Sequence, residues 1–408
     1  MLNINQVKKG VVFTFFWFLT FFVFPFYAVS KTLVFGMSTV LTGPNANLGK
    51  EFSFGVKAAF NQQNLLGGIR GQKLRLIVLD DGYDPARTIK NMYKLINEYR
   101  VLAVVGNVGT PTGVVALPIA VKNKVLFFGP FTGASALRPH PPNPYVYHYR
   151  ASYYEEVKYL LTNLLKVTGI KPTDVAFFTQ NDAYGDEIFS AGIRVLESLG
   201  LKRPYLILHV RYPRNTLYVH KAAATVLRVM PHPKVIVLGG TYSACARFIE
   251  ILRKHGYEGY FVSVSFIGAE SLARIAKKDP LAGDGVIVSE VVPPFSEKLP
   301  IVKQYLTAIK KLNPEAKPSF VSLEGYIVGK ILIKALTRIK GKITRSSIVN
   351  AMAHLGEFDI GLGVPLRLDA KHHQASHHVW LVRIEDGKVV PFNFKELKTE
   401  KHETTSNF

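Results

Sequence analysis

The chain predicts an α/β fold built as two domains, on three observations. Short β-rich runs alternate with helical periods through the first 150 residues, and the alternation restarts after the Pro-rich stretch RPHPPNPYVYHYR. Removing an expected 30-residue leader from 408 leaves 378 residues at nearly half apolar composition, too much for one compact core.

The first half reads as strands at Leu33 to Met37, Leu74 to Leu79, Val101 to Val105 and Val125 to Phe128. Between the first two, Phe52, Val56, Ala59 and Phe60 recur at spacings of four, seven and eight and share one helix face. After the second, Asp84 can cap, Pro85 suits the first turn, and Ile89, Met92, Tyr93 and Ile96 are the expected buried stripe. The second half reads as strands near Val175 to Phe178, Tyr205 to Val210, Val235 to Leu238, Tyr260 to Ser265 and Val286 to Ser289. One of its helices carries Ile188, Gly192, Val195, Leu196 and Leu199 on one face and ends at Gly200. EVVPPF is a second crossing between domains, and helices around Val302 to Leu312 and Leu323 to Arg338 return to the first. A bend at Gly361 to Gly363 precedes a hairpin with strands near Val379 to Ile384 and Val389 to Phe392, turning at Glu385-Asp386-Gly387. The tail from Lys395 is polar and expected to be disordered. The expected division is residues 1–30 signal peptide, 31–150 plus 290–360 lobe 1, 151–289 plus 361–394 lobe 2, and 395–408 tail.

Lys8 and Lys9 precede an apolar run from Val11 to Phe26, and the small residues Ala28 and Ser30 suit cleavage before Lys31. An uncleaved anchor is the rival reading, but Pro25 interrupts a run already short of the ~20 residues a spanning helix needs. The sole cysteine, Cys245, lies far from the leader, so no thiol stands ready for a lipid and no intramolecular disulfide can form. Losing Lys8 and Lys9 lowers the formal charge from +22 to +20, which attracts anions without naming a ligand. The basic residues form no run and no recognition-helix or zinc signature, so nucleic acid is not an expected partner.

Four loops after strands of the first half read STVLTGPNANLGKE, LDDGYDPA, GNVGTPTG and GPFTGA. Open parallel sheets gather ligands at the carboxyl ends of their strands, where these loops fall. GNVGTPTG opens a helix, so its amides and the hydroxyls of Thr110 and Thr112 can cradle a carboxylate; a well-formed turn and cap is the competing account. In GPFTGA, Thr132 offers a hydroxyl and Gly133 a close backbone approach, and ordinary turn chemistry explains the pair equally well. In the second half, NDAYGDE sets Tyr184 at a strand-to-helix junction, where an aromatic can close over a ligand. GGTYSACA offers Thr241 and Tyr242, and RASYYEE offers Tyr153, each of which packing alone can also explain.

In order and spacing, TGPNANLGKEFSFGVKAAFNQQNLLGGIRGQKLRLIVLDDGYDPA, VVGNVGTPTG, FGPFTGASALR, FFTQNDAYGDE, VIVLGGTYSACA and SLEGYIVGK resemble the type I periplasmic binding proteins of ABC importers. The likeness is to the branched-chain amino-acid-binding (leucine/isoleucine/valine) family and covers nearly the whole mature chain. The resemblance implies a clamshell of two Rossmann-like lobes joined by three hinge crossings and closing on a small ligand. It implies ligand contacts at Thr110 and in the Thr132–Gly133 loop, with Tyr184 as a cleft tyrosine. Two departures stand out. The family's first-loop aromatic is Leu48 here, before Gly49, and the family's ammonium-holding glutamate falls around Ser265 in FVSVSFIG, where no acidic residue stands. A buried ammonium without a carboxylate loses charge-assisted bonds of ~1.5 to 3 kcal/mol each, so a carboxylate or mostly apolar solute stands beside a zwitterionic amino acid. Asp182 and Glu270 are the substitutes if the loops shift.

His372, His373, His377 and His378 in HHQASHH invite a metal reading, but no cysteine or clear carboxylate accompanies them, and neither metal nor cofactor is expected. Asp80 and Asp81 are adjacent in a strand and point to opposite faces, so they cannot flank one bond; one is expected exposed and the other capping the turn through Gly82. Ser243 beside Cys245 has no histidine at a fixed local spacing, and no nucleophile elbow or phosphate loop is present. The chain reads as an exported, non-enzymatic, monomeric solute-binding protein whose partners are a small-molecule ligand and an ABC permease in the inner membrane. The alternative is the ligand-binding subunit of a sensory system, with a membrane sensor in place of the permease. Tyr184→Ala is expected to weaken binding with little loss of stability.

Overall fold

The structure is a computed structural model that describes residues 32–397. The expected leader at 1–30 and residues 398–408 of the tail lie outside the described residues. Among the described residues no helix is long and apolar enough to cross a membrane.

The first unit opens with β1 (Leu33–Thr39), α1 (Ala46–Leu65), β2 (Leu74–Asp80), α2 (Pro85–Tyr93), β3 (Ala103–Val105), α3 (Thr110–Lys122), β4 (Leu126–Phe128) and β5 (Val146–Tyr147). Its strands form one parallel sheet in the order β2-β1-β3-β4-β5. Helices cover both faces, so β3 (AVV) and β4 (LFF) are apolar and buried at every position. The second unit follows with α4 (Tyr153–Thr168), β6 (Val175–Gln180), α5 (Ala183–Ser198), β7 (His209–Tyr212), α6 (His220–Arg228), β8 (Val235–Gly239), α7 (Tyr242–Lys254), β9 (Tyr260–Ser263), α8 (Ala269–Ala276) and β10 (Ile287–Glu290).

The chain then builds α9 (Pro300–Leu312), α10 (Phe320–Thr337) and α11 (Arg345–Ala353), a small hairpin of β11 (Gly356–Phe358) and β12 (Leu366–Leu368), and finally β13 (Trp380–Glu385) and β14 (Lys388–Pro391). The second sheet runs β14-β13-β10-β9-β8-β6-β7, parallel except that β13 pairs antiparallel with β10 and β14. Glu385 pairs with Lys388 across Asp386 and Gly387, whose φ values of 49° and 65° make the primed two-residue turn that matches strand twist.

α10 packs against α1 because glycines let the backbones approach. A Cβ on Gly329 would lie 2.6 Å from the Ala59 Cβ, and one on Gly325 would collide with the Phe52 carbonyl oxygen. Three segments carry the chain between the sheets and lie together: His148 bridges Gln374, and the Tyr149 hydroxyl donates to the Val291 carbonyl at 2.8 Å.

Four local expectations are corrected. The stripe on α2 is Thr88 and Met92, continued by Leu95 and Ile96 at spacings of seven and eight, while Ile89 and Tyr93 are exposed; the helix docks by the face next to the expected one. The strand expected at Tyr205 starts only at His209, because Pro204 has no N–H for the ladder and Tyr205 and Leu206 sit exposed in a 3₁₀ turn. Of the carboxylate pair, Asp80 is the partly exposed one and also caps Gly82, whereas Asp81 is buried and accepts from Ser38, Thr88 and Tyr83. The polar tail begins later than Lys395, since Leu397 is buried.

Candidate functional site

The carboxyl ends of the two parallel sheets face each other, and their loops meet. Asn45 donates to Asn215 at 3.0 Å, Asn215 donates to the Gly82 carbonyl at 3.0 Å, Ser135 binds Glu187 at 2.9 Å, and Arg274 pairs with Glu51 at 3.1 Å. Inside these rim contacts lies a layer of aromatic rings. Phe266 of the second unit stands 5.3 Å from Phe131 and 6.2 Å from Tyr83 of the first, and 4.7 Å from Tyr184. Tyr153 stands 5.4 Å from Tyr184, and Phe52 stands 5.3 Å from Phe131.

Local structure places each polar group. Gly109, at φ 103°, turns the chain into α3 and leaves Thr110 on its first turn. The Thr110 hydroxyl meets the Thr132 hydroxyl at 2.7 Å, and Thr132 also accepts from the Ala134 N–H at 3.3 Å. Ser152 and Glu155 form a capping box that fixes the start of α4 and with it Tyr153. Asp182 caps α5, accepting from the Tyr184 N–H at 3.0 Å, and so sets Tyr184 as the second helical residue. The Tyr184 and Tyr153 hydroxyls are buried and make no hydrogen bond among the described residues, although Tyr153 lies toward Thr132 and Gly133. Burial pushes the Tyr184 hydroxyl far above its ordinary range, so it remains a neutral donor.

The structure thus brings Thr110, Thr132, Tyr153 and Tyr184 together around Phe266. The other expected residues are spoken for locally. Thr112 donates to the Val108 carbonyl at 2.5 Å, inside its own turn. Gly133 makes its close approach to Tyr153, whose N–H donates to the Gly133 carbonyl at 2.9 Å. Thr241 donates its N–H to the Tyr212 hydroxyl at 3.2 Å, and Tyr242 and Leu48 both abut Gly268 near the cleft edge. Tyr184 is wholly buried among rings, which corrects the expectation that truncating it spares stability.

Sequence reading missed the group at the centre. Arg150, on the first crossing and 1% exposed, pairs with Glu156 at 3.1 Å and lies 3.6 Å from Glu324. It also donates to the Ser265 hydroxyl, so the site without an acidic residue holds a guanidinium instead. Burial works against its charge, but Glu324 and Glu156 outweigh that and hold it above its ordinary range. Glu156 also accepts from the Ser265 N–H at 2.9 Å and the Ser289 hydroxyl at 2.8 Å. Burial pushes Glu324 up to about 7 against the pull of Arg150, and burial with the neighbouring Glu270 keeps Glu290 well above the carboxylate range. A sequence signal existed: Glu324 is the one acid in the apolar helix FVSLEGYIVGKILIKAL, and such a residue needs a partner.

Of the two substitute carboxylates, Asp182 is held locally, whereas Glu270 keeps one buried oxygen, Oε2, without a partner among the described residues. Asp182 is held by Arg214 at 3.2 Å and Gln180 at 2.7 Å, and Glu270 accepts from the Phe320 N–H at 2.6 Å at the start of α10. The four histidines of the late loop have separate partners: His372 meets Asp369, His373 stacks on Tyr147, His377 meets Glu155 and His378 lies against Trp380. Among the described residues no three metal-binding side chains converge. A cavity of about 810 Å³ lies outside the cleft, at the opposite ends of the first-sheet strands, lined among others by Arg70, Arg100, Lys342 and Arg345.

Known proteins share this architecture. The chain is 46% identical to a solved structure described as a possible leucine/isoleucine/valine-binding protein from Rhodopirellula baltica, covering 90% of this chain and 98% of that one with a TM-score of 0.86. It is 22% identical over 378 residues to Leu/Ile/Val-binding protein homolog 7 of Brucella abortus, covering 88% of this chain and 91% of the relative. An amino acid binding protein of Pseudomonas aeruginosa is 24% identical over 250 residues, a match that spans 60% of this chain and 63% of that protein, short of two thirds of its length. The family pattern described as periplasmic binding protein matches residues 32–388, and the chain belongs to that family.

Proposed function

We propose that this chain is the extracytoplasmic solute-binding component of an ABC transporter, exported to the periplasm, which captures one small molecule between its lobes and presents it to a permease in the inner membrane. The observation that carries the reading is the unpartnered Tyr184 hydroxyl, a wholly buried donor packed on Tyr153 and Phe266, the latter in turn packed on Phe131 and Tyr83 of the first unit. A buried donor left without an acceptor costs about 1 to 3 kcal/mol, a cost that a ligand acceptor removes. The relatives' names point to small solutes with compact apolar bodies.

Hinge closure is the working step. With lobe 1 at 31–150 and 290–360 and lobe 2 at 151–289 and 361–394, a ligand favours the closed state only through contacts made to both. Thr110 and Thr132 serve from the first lobe and Tyr153 and Tyr184 from the second, with Thr112, Gly133, Thr241, Tyr242 and Ser265 shaping the walls. The test is a thermal-shift screen of Lys31 to Phe408 against amino acids, carboxylates, amides, sugars and small lipids, with hits confirmed by calorimetry. A ligand at a hundred times its Kd adds ~2.7 kcal/mol of stability. A saturable hit weakened by Thr110→Val and Tyr184→Phe is expected; a screen with no hit in any class would sink the reading.

A further inference from the structure

Resting on the cleft as the binding site, we propose that Arg150 sets its specificity for a monocarboxylate with an apolar or aromatic body and no ammonium group, the guanidinium being the cation that the carboxylate meets.

The unused groups at the centre of the cleft are donors. Arg150 Nε and the hydroxyls of Tyr153 and Tyr184 are buried and make no hydrogen bond among the described residues, and Arg150 Nη1 has only the Glu324 carboxylate, 3.6 Å away. They are close together: the guanidinium lies 4.9 Å from the Phe131 ring and 5.7 Å from the Tyr153 ring, with Tyr184 next to Tyr153. A carboxylate has four lone-pair positions and no donor, so it satisfies such a set, and a bond to a charged partner is roughly twice as strong as a neutral one.

The acceptors that an ammonium needs are already committed. Glu156 is taken by Arg150, the Ser265 N–H and the Ser289 hydroxyl, and Glu324 faces Arg150 at 3.6 Å. The carboxyl oxygens left without partners are Glu324 Oε1, Glu290 Oε1 and Glu270 Oε2; burial keeps Glu290 well above the carboxylate range and pushes Glu270 up to about 8, while Glu324, pushed up to about 7, already faces Arg150. An incoming ammonium therefore meets the like charge of Arg150, and each carboxyl around it is either already paired with Arg150 or raised by burial. The body of the solute meets Phe131, Tyr83, Tyr184 and Phe266, rings that bury apolar surface and offer no acceptor beyond their hydroxyls.

Calorimetry with matched pairs reads the proposal directly: 3-phenylpropanoate against phenylalanine, and 4-methylpentanoate against leucine, which differ in the ammonium group. The acid without nitrogen is expected to bind at least about tenfold tighter in one pair or both. Arg150→Gln is expected to abolish that preference. Because it strands Glu156 and can cost the fold, two milder variants accompany it: Arg150→Lys, which keeps the charge and the preference but weakens affinity, and Tyr184→Phe, which weakens the carboxylate about tenfold and its methyl ester, a neutral and weaker acceptor, clearly less. Tighter binding of the amino acid, or of tetramethylammonium, would overturn the proposal and leave the cleft intact as a binding site. No binding by any of these probes would overturn it too, and the remaining solutes of the screen then decide whether the cleft reading falls with it.

Discussion

Arg150 and Glu156 meet at 3.1 Å with side chains 1% and 0% exposed, six residues apart where the chain passes from one sheet to the other. Removing one partner of such a pair strands a buried charge. Glu156→Ala, which also releases the Ser265 N–H and the Ser289 hydroxyl, is expected to cost about 3 to 5 kcal/mol, read as a lower urea midpoint. The double change Arg150→Met with Glu156→Leu should cost clearly less than the sum of the two singles; full additivity would show that the two side chains do not interact.

Tyr184 needs two substitutions to separate packing from recognition. Tyr184→Ala removes a fully buried ring from between Tyr153 and Phe266 and is expected to lose about 3 to 5 kcal/mol of stability, visible in thermal melts. Tyr184→Phe removes only an unpartnered hydroxyl, so the ligand-free protein should melt unchanged or slightly higher while the screen's best hit binds more weakly.

Gly325 is where α10 touches the α1 backbone. Gly325→Ala drives a methyl into the Phe52 carbonyl oxygen, and the helices can separate only by disturbing the packing around Gly55 and Gly329. A loss of about 1 to 3 kcal/mol is expected despite the better helix propensity of alanine. A variant as stable as the parent would show that the two helices shift apart without cost.

Glu270 predicts a pH dependence. Burial, reinforced by Glu51, pushes its carboxyl up to about 8, so between its ordinary value of 4.5 and about 8 the folded chain holds a proton that the unfolded chain has released. Stability from this group is therefore full below the ordinary value and falls as pH rises through that window, with a slope of at most about 1.4 kcal/mol for each step of one in pH. Glu270→Gln keeps an acceptor for the Phe320 N–H and removes the titration, so its urea midpoint should exceed the parent's at pH 9 and match it near pH 4. Parallel pH profiles would count against a raised Glu270.

Much of the fold was legible because its signals are local. The stripe of Phe52, Val56, Ala59 and Phe60, the Asp84 cap before Pro85 and the Asp386-Gly387 turn each follow from a few neighbouring residues. The misread elements are those that tertiary packing decides, as where α2 docks by its Thr88 and Met92 face and leaves Ile89 and Tyr93 to solvent. In the cleft, Thr110, Thr132, Tyr153 and Tyr184 could be picked out because strand-end loops announce themselves. Arg150, Phe131 and Phe266 could not, since nothing in their immediate neighbours says that they meet.

The sequence by itself determined the alternation of strands and helices, the division into two sheets and the loops that face the cleft, because periodicity and turn chemistry act over a few residues. Only the tertiary structure decided what fills the cleft. Arg150 and Ser265 stand 115 residues apart, and their meeting depends on how the crossings bring the strand ends of two separately built sheets face to face. There Glu324 and Glu156 hold a buried arginine as a fixed cation against the cost of its burial, and burial raises the neighbouring Glu290 well above the carboxylate range.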